Sequence, residues 1–289
     1  VKILLFGGAG QLGHEIRKRA DDLDFETVSP VLKEVDITEE DQVMKLIGAT
    51  KADVVINCAA YTAVDKAEEE PEIVFKINRD GARNIALACA KHPTRFIHVS
   101  TDYVFDGLLG RPLKEEDATN PISVYGRSKW EGEEAVRDIL GDSALIVRTQ
   151  ALYGKMGVNF VQTMLKLIGE REVVKVVDDQ WVSPTWAGWL AEALLDLARV
   201  KAGGTLHGSC SGTVSWYEFA CEIRQLSEKQ FEGRRQAVLE RTTADAFARP
   251  AKRPTFSAFD TSKICSVLGR PPMKWQDALK AFLTEIGAV

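Results

Sequence analysis

The first thirteen residues most constrain how this chain can fold. Lys2-Ile-Leu-Leu-Phe6 is a short apolar run without polar alternation, the pattern of a strand buried on both faces of a parallel sheet. It runs straight into Gly7-Gly-Ala-Gly10-Gln-Leu-Gly13, and His14-Glu-Ile-Arg-Lys-Arg-Ala20 then reads as a helix. Glycines at every third position permit a tight turn and let backbone N–H groups approach an anion at the helix N-terminus. A tight strand-to-helix turn can exist without a ligand. Strand, glycines and helix in that order at the start of an α/β chain favour a dinucleotide pyrophosphate, with Gly7 and Gly10 in the loop.

Further apolar runs repeat the theme. Phe25–Val28, Asp53–Ala60, Arg95–Val99 and Ala144–Val147 read as strands, with helical stretches at Glu39–Gly48, Glu72–Lys91 and Lys129–Arg137 between them. Thr38 is the expected N-cap of the first of these helices. The alternation predicts an α/β fold: a Rossmann-type, doubly wound parallel sheet with a smaller C-terminal α/β substrate-binding lobe. Residues 1–149 are expected to form the dinucleotide-binding domain and 150–289 mainly the lobe. The lobe is expected to be discontinuous, with strands near 173–177 and 205–208 returning to the sheet and Glu232–Arg253 forming a lobe or loop.

Composition excludes several function classes. The net charge is −5 and no basic block appears, so nucleic acid is not an expected partner. No apolar run approaches the ~20 residues that span a bilayer. The opening carries no long apolar segment of a signal peptide. Cys58, Cys89, Cys210, Cys221 and Cys265 are scattered, and the four histidines have no metal-ligand spacing. Both facts fit a cytoplasmic protein without a zinc site.

The chemistry centres on Tyr125-Gly-Arg-Ser-Lys129, which sets a phenol and an ammonium on one face of a helix. Alone, such a pair is more often two solvated residues. Here Ser100-Thr101-Asp102 leaves a strand end upstream, where a doubly wound sheet would bring it beside Tyr125, although Ser and Thr also serve as plain turn formers. A nearby cation favours the tyrosinate and makes the phenol a usable proton donor. At the end of the second strand, Ser29-Pro-Val-Leu-Lys33 offers no acid to a ribose. That leaves room at Ser29 for a 2′-phosphate, so NADPH is expected at least as readily as NADH. Asp36 is either an adenine contact or a solvated loop acid. Asn78, if it faces the sheet, is a buried amide that needs partners.

These stretches, with Asn57-Cys-Ala-Ala-Tyr-Thr-Ala-Val-Asp65, Ser100-Thr-Asp-Tyr-Val-Phe-Asp-Gly107, Asn159-Phe160, Asp179-Gln180, Pro184-Thr185 and Arg253-Pro254, resemble the dTDP-4-dehydrorhamnose reductases. These are extended short-chain dehydrogenases, and the resemblance covers almost the whole chain. It implies catalysis by Thr101, Tyr125 and Lys129. It implies cofactor contacts at Gln11, Leu12, Asp36, Ile37, Ala59, Ala60, Thr62 and Val99. Substrate contacts would fall at Val64, Thr101, Asp102, Tyr103, Ala151, Asn159 and Gln180. The expected substrate is a nucleotide-activated 4-ketosugar, and a homodimer is the assembly considered.

Three departures stand out. Ala151 occupies the place of the family's Trp, and Gln150 beside it offers a polar group to an extra substituent. Ser257-Ala-Phe-Asp260 replaces Ser-Arg-Leu-Asp. No metal is expected. Some members share Mg²⁺ between subunits, and Glu15 and Glu285 fit two of those positions, but Gly188 stands in the third. Two other readings share the resemblance: a cofactor-binding regulatory subunit like that of methionine adenosyltransferase, and a nucleotide-sugar epimerase or dehydratase.

Overall fold

The computed structural model describes residues 1–233 and 235–289. The first half runs β1 (Lys2–Phe6), α1 (Gln11–Asp22), β2 (Glu26–Val28), α2 (Glu40–Thr50), β3 (Val54–Asn57), α3 (Pro71–Phe75), α4 (Gly81–Lys91), β4 (Arg95–Thr101), α5 (Val124–Leu140) and β5 (Leu145–Thr149). There follow β6 (Leu152–Tyr153), α6 (Phe160–Glu170), β7 (Val173–Val177), β8 (Trp181–Val182), β9 (Thr185–Trp186), α7 (Ala187–Arg199) and β10 (Gly204–His207). The chain closes with β11 (Val214–Ser215), α8 (Trp216–Leu226), β12 (Val238–Thr242), α9 (Ser262–Leu268) and α10 (Trp275–Glu285).

The central sheet is parallel and six-stranded, in the order β10-β5-β4-β3-β1-β2. Side chains alternate across it. Ile3 and Leu5 face a cluster that includes Leu12 and Ile16 of α1 and Trp189, Leu190 and Leu194 of α7. Leu4 and Phe6 face Val43 and Ile47 of α2, Ile85 of α4 and Val136 of α5. Both faces are covered, which is why β1 and β3 read as unbroken apolar runs. Each such fully buried Ile or Leu contributes roughly 1.5–3 kcal/mol.

The structure corrects three details. Thr38 does not cap α2: the N-cap is Glu39, with no side-chain bond, and the Thr38 N–H donates to Asp36 Oδ1 at 2.9 Å. The expected long helix is broken by one π turn at Lys76–Asp80, between α3 and α4. Of the two strands expected to return to the sheet, Gly204–His207 does so beside β5. Val173–Val177 does not; it pairs in parallel with β12, inside the stretch read as lobe or loop. The reason is its surface: Val173 and Lys175 are exposed while Val174 and Val176 are buried, a strand built for one apolar face rather than two.

Candidate active site

The glycine loop is shaped by close backbone approach. Gly7 has φ +79°, and a Cβ there would lie 2.5 Å from Ala59 N. A Cβ on Gly13 would lie 2.2 Å from Gly7 O. Larger residues would push β1, the β3 exit and α1 apart. Gly10 is the N-cap of α1, with no side-chain bond and no acid in the first turn. The helix start therefore keeps its positive end for a ligand anion.

One cleft of about 550 Å³ is lined by Gly7, Gly10, Gln11, Leu12, Ala60, Thr62, Val64, Val99, Thr101, Asp102, Tyr103, Tyr125, Lys129 and Ala151. Asp102, Tyr103 and Ala151 also line a second cavity of about 710 Å³, which holds Gln180. The two spaces share these three residues and Val158. The first cleft fits a dinucleotide on its own features: the glycine cradle, the uncapped helix start and the Thr149 hydroxyl, buried at its wall without a partner.

Five expected contacts line neither space. Ala59 donates its N–H to Asn57 Oδ1 at 3.0 Å. Ser29 lies beyond the glycine loop, where a Cβ on Gly8 would collide with Ser29 Oγ and lie 3.2 Å from Arg17 Cδ. Asp36 accepts from Thr38, and Ile37 is core, its carbonyl accepting from Asn84 Nδ2 at 3.0 Å. Asn159 caps α6 through Gln162 N and ties Gln11 Oε1 to Gly154 O, at 3.0 and 2.8 Å.

The expected trio of Thr101, Tyr125 and Lys129 comes together where the end of β4 meets the start of α5. Ser123 caps the helix by accepting from Gly126 N at 3.1 Å. A Cβ on Gly126 would lie 2.2 Å from Tyr103 O, so the helix rests directly on the Asp102–Val104 turn. That contact sets the Tyr125 ring edge-on to Tyr103, centroids 5.4 Å apart. Asn78, in the π turn, donates to Ser128 Oγ at 2.9 Å and to Tyr61 O at 3.1 Å, and accepts from Tyr61 N at 2.8 Å. The buried amide thus has its partners and braces the helix from behind.

Burial raises the Tyr125 phenol; the Thr101 hydroxyl opposes that, and Asp102 and Tyr103 add to it. Lys129 is not among these influences, contrary to the expected help from its charge. Its Nζ instead donates to Val99 O at 2.7 Å, and burial lowers it to about 8 while Glu133 pulls it up. Thr101 Oγ donates to Asp102 Oδ1 at 3.1 Å. Burial brings Asp102 up to about 6, against hydrogen bonds from Ser257 and Thr101.

Sequence reasoning missed several residues. Gln150 is not free for substrate: its Nε2 donates to Ser257 O at 2.8 Å and its Oε1 accepts from Ser183 N at 2.9 Å. Arg253 holds Asp65 with two bonds, of 3.0 and 2.7 Å, and lines the second cavity with Arg249. Arg17 has no ion-pair partner among the described residues. The basic residues were visible in the sequence, but only the fold puts Arg249 and Arg253 on the second cavity and Arg17 near Ser29. Glu15 pairs with Arg19 and Glu285 with Lys18. Among the described residues no three acidic, His or Cys side chains group to hold a metal.

Comparison with known proteins adds to this geometry. A family model described as RmlD substrate binding domain matches residues 1–287. The chain is 39% identical over 293 residues to a dTDP-4-dehydrorhamnose reductase of Aggregatibacter actinomycetemcomitans, across 96% of this chain and 97% of that one. It is 41% identical over 217 residues to a dTDP-4-keto-6-deoxy-D-glucose reductase of Streptomyces niveus, across 75% of each. The crystal structure of a Bacillus anthracis dTDP-4-dehydrorhamnose reductase in complex with NADP matches with a TM-score of 0.91 at 34% identity, covering 98% of this chain and 99% of that one.

Asp102 gives the site a measurable stability signature. Its carboxyl stands at about 6 in the fold against 3.8 when solvated. Between those values the folded chain binds a proton that the unfolded chain does not, so stability falls as pH rises through the window and stays low above it. Two units amount to about 3 kcal/mol. Asp102→Asn should therefore raise the melting temperature at pH 8 and leave it near wild type at pH 4. An equal gain at both pH values in thermal denaturation would show that the carboxyl's burial is not the cause.

Proposed function

The chain belongs to the RmlD substrate-binding-domain family, that of the dTDP-4-dehydrorhamnose reductases, and on that premise we propose that it reduces the 4-keto group of a dTDP-activated deoxysugar, dTDP-4-dehydrorhamnose first among them. The observation that carries this reading is the placement of Thr101, Tyr125 and Lys129 on the glycine-cradled cleft where it shares Asp102, Tyr103 and Ala151 with the second cavity. That second cavity has Arg249 and Arg253 for a diphosphate and an apolar wall of Phe160, Met164, Val182 and Trp216 for a base.

A bound nicotinamide dinucleotide supplies the hydride. The chain's residues do the rest. Tyr125 gives its proton to the oxygen at C4, and the Thr101 hydroxyl orients that oxygen. Lys129, held by Val99 O, binds the ribose from the cleft side. Gly10 and the α1 start receive the pyrophosphate. Ser29 with Arg17 beyond the loop favours a 2′-phosphate, so NADPH is the preferred cofactor. No described helix is long and apolar enough to cross a membrane, and the five cysteines are unpaired. A cytoplasmic enzyme suits both facts.

The sugar is open to variation at Ala151. Of the aromatic residues that could refill the volume of a Trp there, Tyr153 packs on Phe219 and Phe282 in the core, and Trp186 lies under Arg19. Trp181 lines neither cavity. Tyr103 lines both, and Trp216 in the second cavity leans on Phe160 at 4.6 Å. A roomier sugar site follows.

Three outcomes test the reading. Tyr125→Phe should lose roughly 10² to 10⁴ in kcat, the usual worth of general acid catalysis, with cofactor binding retained by fluorescence titration. Near-normal turnover would remove the tyrosine from the mechanism. Ser29→Asp should shift the ratio of kcat/KM for NADPH over NADH toward NADH; an unchanged ratio means that the residue does not face the ribose. Ala151 already sits at φ +43°, so alanine and tryptophan bear the same backbone cost there and the substitution reports the side chain alone. Ala151→Trp should lower kcat/KM for bulkier 4-ketosugars more than for dTDP-4-dehydrorhamnose. Equal losses on both would show that this wall does not touch the sugar.

A further inference from the structure

Behind Lys129 lies a buried chain of polar groups that the mechanism above does not use. Asn57, at the end of β3, and His98, on β4, are each 1% exposed. The Asn57 amide is oriented without ambiguity. Ala59 N–H can only donate, and it meets Asn57 at 3.0 Å, so that atom is the oxygen. The atom 3.2 Å from His98 Nδ1 is then the Asn57 Nδ2, a donor. Nδ1 must accept, and the ring proton must sit on Nε2. His98 Nε2 lies 3.4 Å from Lys129 Nζ.

This places a ring N–H against a lysine. An ammonium has three donors and no acceptor, so it gains nothing from that contact; a neutral amine has a lone pair and can accept. We propose that His98 is a positioning residue for the reaction: Asn57 fixes its tautomer, and the N–H it turns on Lys129 makes that lysine hold its third proton less tightly. The ammonium keeps one strong bond, to Val99 O at 2.7 Å, which holds Nζ at the cleft while the imidazole limits its proton affinity.

Burial already lowers Lys129, and the contact with His98 adds to it; the other polar groups around the lysine do not. On its own helix Glu133 favours the ammonium, but Arg148 and Arg137 both bind that carboxylate. From the β3 exit Cys58 faces Lys129 with a thiol that burial pushes up to about 12, so it is uncharged at neutral pH. Asp102, from the turn after β4, bears on Tyr125 and not on Lys129. His98 itself is held well below its ordinary value by burial and then by Lys129, so the ring stays neutral and cannot carry the proton in the lysine's place.

The bearing on catalysis rests on the reductase reading; the tautomer does not. The test uses the full chain, free of cofactor, labelled with ¹⁵N and ¹³C. Two-bond ¹H–¹⁵N correlations should show His98 with Nε2 protonated and Nδ1 bare from pH 6 to 9, and the Lys129 side-chain shifts should titrate near pH 8. His98→Leu removes the N–H and should raise the Lys129 midpoint by about one unit, a tenfold gain in proton affinity. Asn57→Asp offers Nδ1 an acceptor, so His98 should switch to the Nδ1–H form and Nε2 should accept from Lys129, again raising its midpoint. The basic limb of the kcat–pH profile should move up with it. A wild-type ring carrying its proton on Nδ1, a His98 that titrates between pH 6 and 8, or a Lys129 midpoint that does not rise in the variants would overturn the proposal. Should the leucine variant fail to fold, the wild-type spectrum and Asn57→Asp still decide it. Failure of the reductase reading would look different: no turnover of any 4-ketosugar, with tautomer and midpoints as stated.

Discussion

Helix α5 carries Tyr125 and Lys129 to the cleft, and a buried ion triad fixes its rotation on the sheet. Glu133 is fully buried and receives Arg148 of β5 through three bonds of 2.9, 3.2 and 2.7 Å, with Arg137 of its own helix adding a fourth at 2.7 Å. Burial alone would raise the Glu133 carboxyl; the two guanidiniums overcome that and hold it at about 2. Such a triad adds little stability over an apolar replacement, but losing one partner costs about 3–5 kcal/mol. What it provides is register. Lys129 lies one turn before Glu133 and Tyr125 one turn before that, on the same face. With Glu133 pinned to β5, the lysine and the phenol are turned toward the exit of β4.

The rest of the site is built by short distances rather than by strong bonds. Gly126 lets α5 sit on the Tyr103 carbonyl, and Gly132 brings the same helix against the Asn78 carbonyl, where a Cβ would be 2.4 Å away. The π turn at Lys76–Asp80 is the complement of that contact: one extra residue in the turn carries the Asn78 amide to Tyr61 and Ser128. The π turn and the two glycines form one device, holding the β3 exit, the β4 exit and α5 within hydrogen-bond reach of one another.

This explains what could be read from the chain and what could not. The alternation of buried strands and amphipathic helices is local, and the glycine loop, Thr101, Tyr125 and Lys129 are carried by short motifs, so fold class and the cleft-facing residues were legible. Pairing partners are not local. Val173–Val177 looks like any strand until β12 lies beside it, and the charged run around β12 hid a strand with a single apolar face. Asn159 and Gln150 carry polar groups in suggestive places, but an amide's role depends on which neighbours take its bonds, and here the fold engages both the oxygen and the nitrogen of each. Asn57 and His98 failed to signal for the same reason. Nothing in Ile-Asn-Cys or Ile-His-Val tells that two side chains 41 positions apart will meet at 3.2 Å.

The electrostatics of the trio suit one direction of reaction. Tyr125 has its proton held tightly, by burial first and then by the Asp102 charge beside it. As a base such a tyrosine would be poorly placed, since forming the phenolate in that setting is costly. As a donor it is not handicapped, because the oxygen it serves becomes an alkoxide, a stronger base than a phenolate, and takes the proton even so. Asp102 at about 6 and Lys129 at about 8 bracket neutral pH, so between those values the cleft holds one carboxylate and one ammonium together with a neutral phenol. On the proposed mechanism the carboxylate would keep the phenol protonated until the ketone oxygen gains charge, and the ammonium, lining the same cleft, would balance that charge as it forms. An arrangement tuned to withhold a proton from weak bases and release it to a strong one is what reduction of a carbonyl requires.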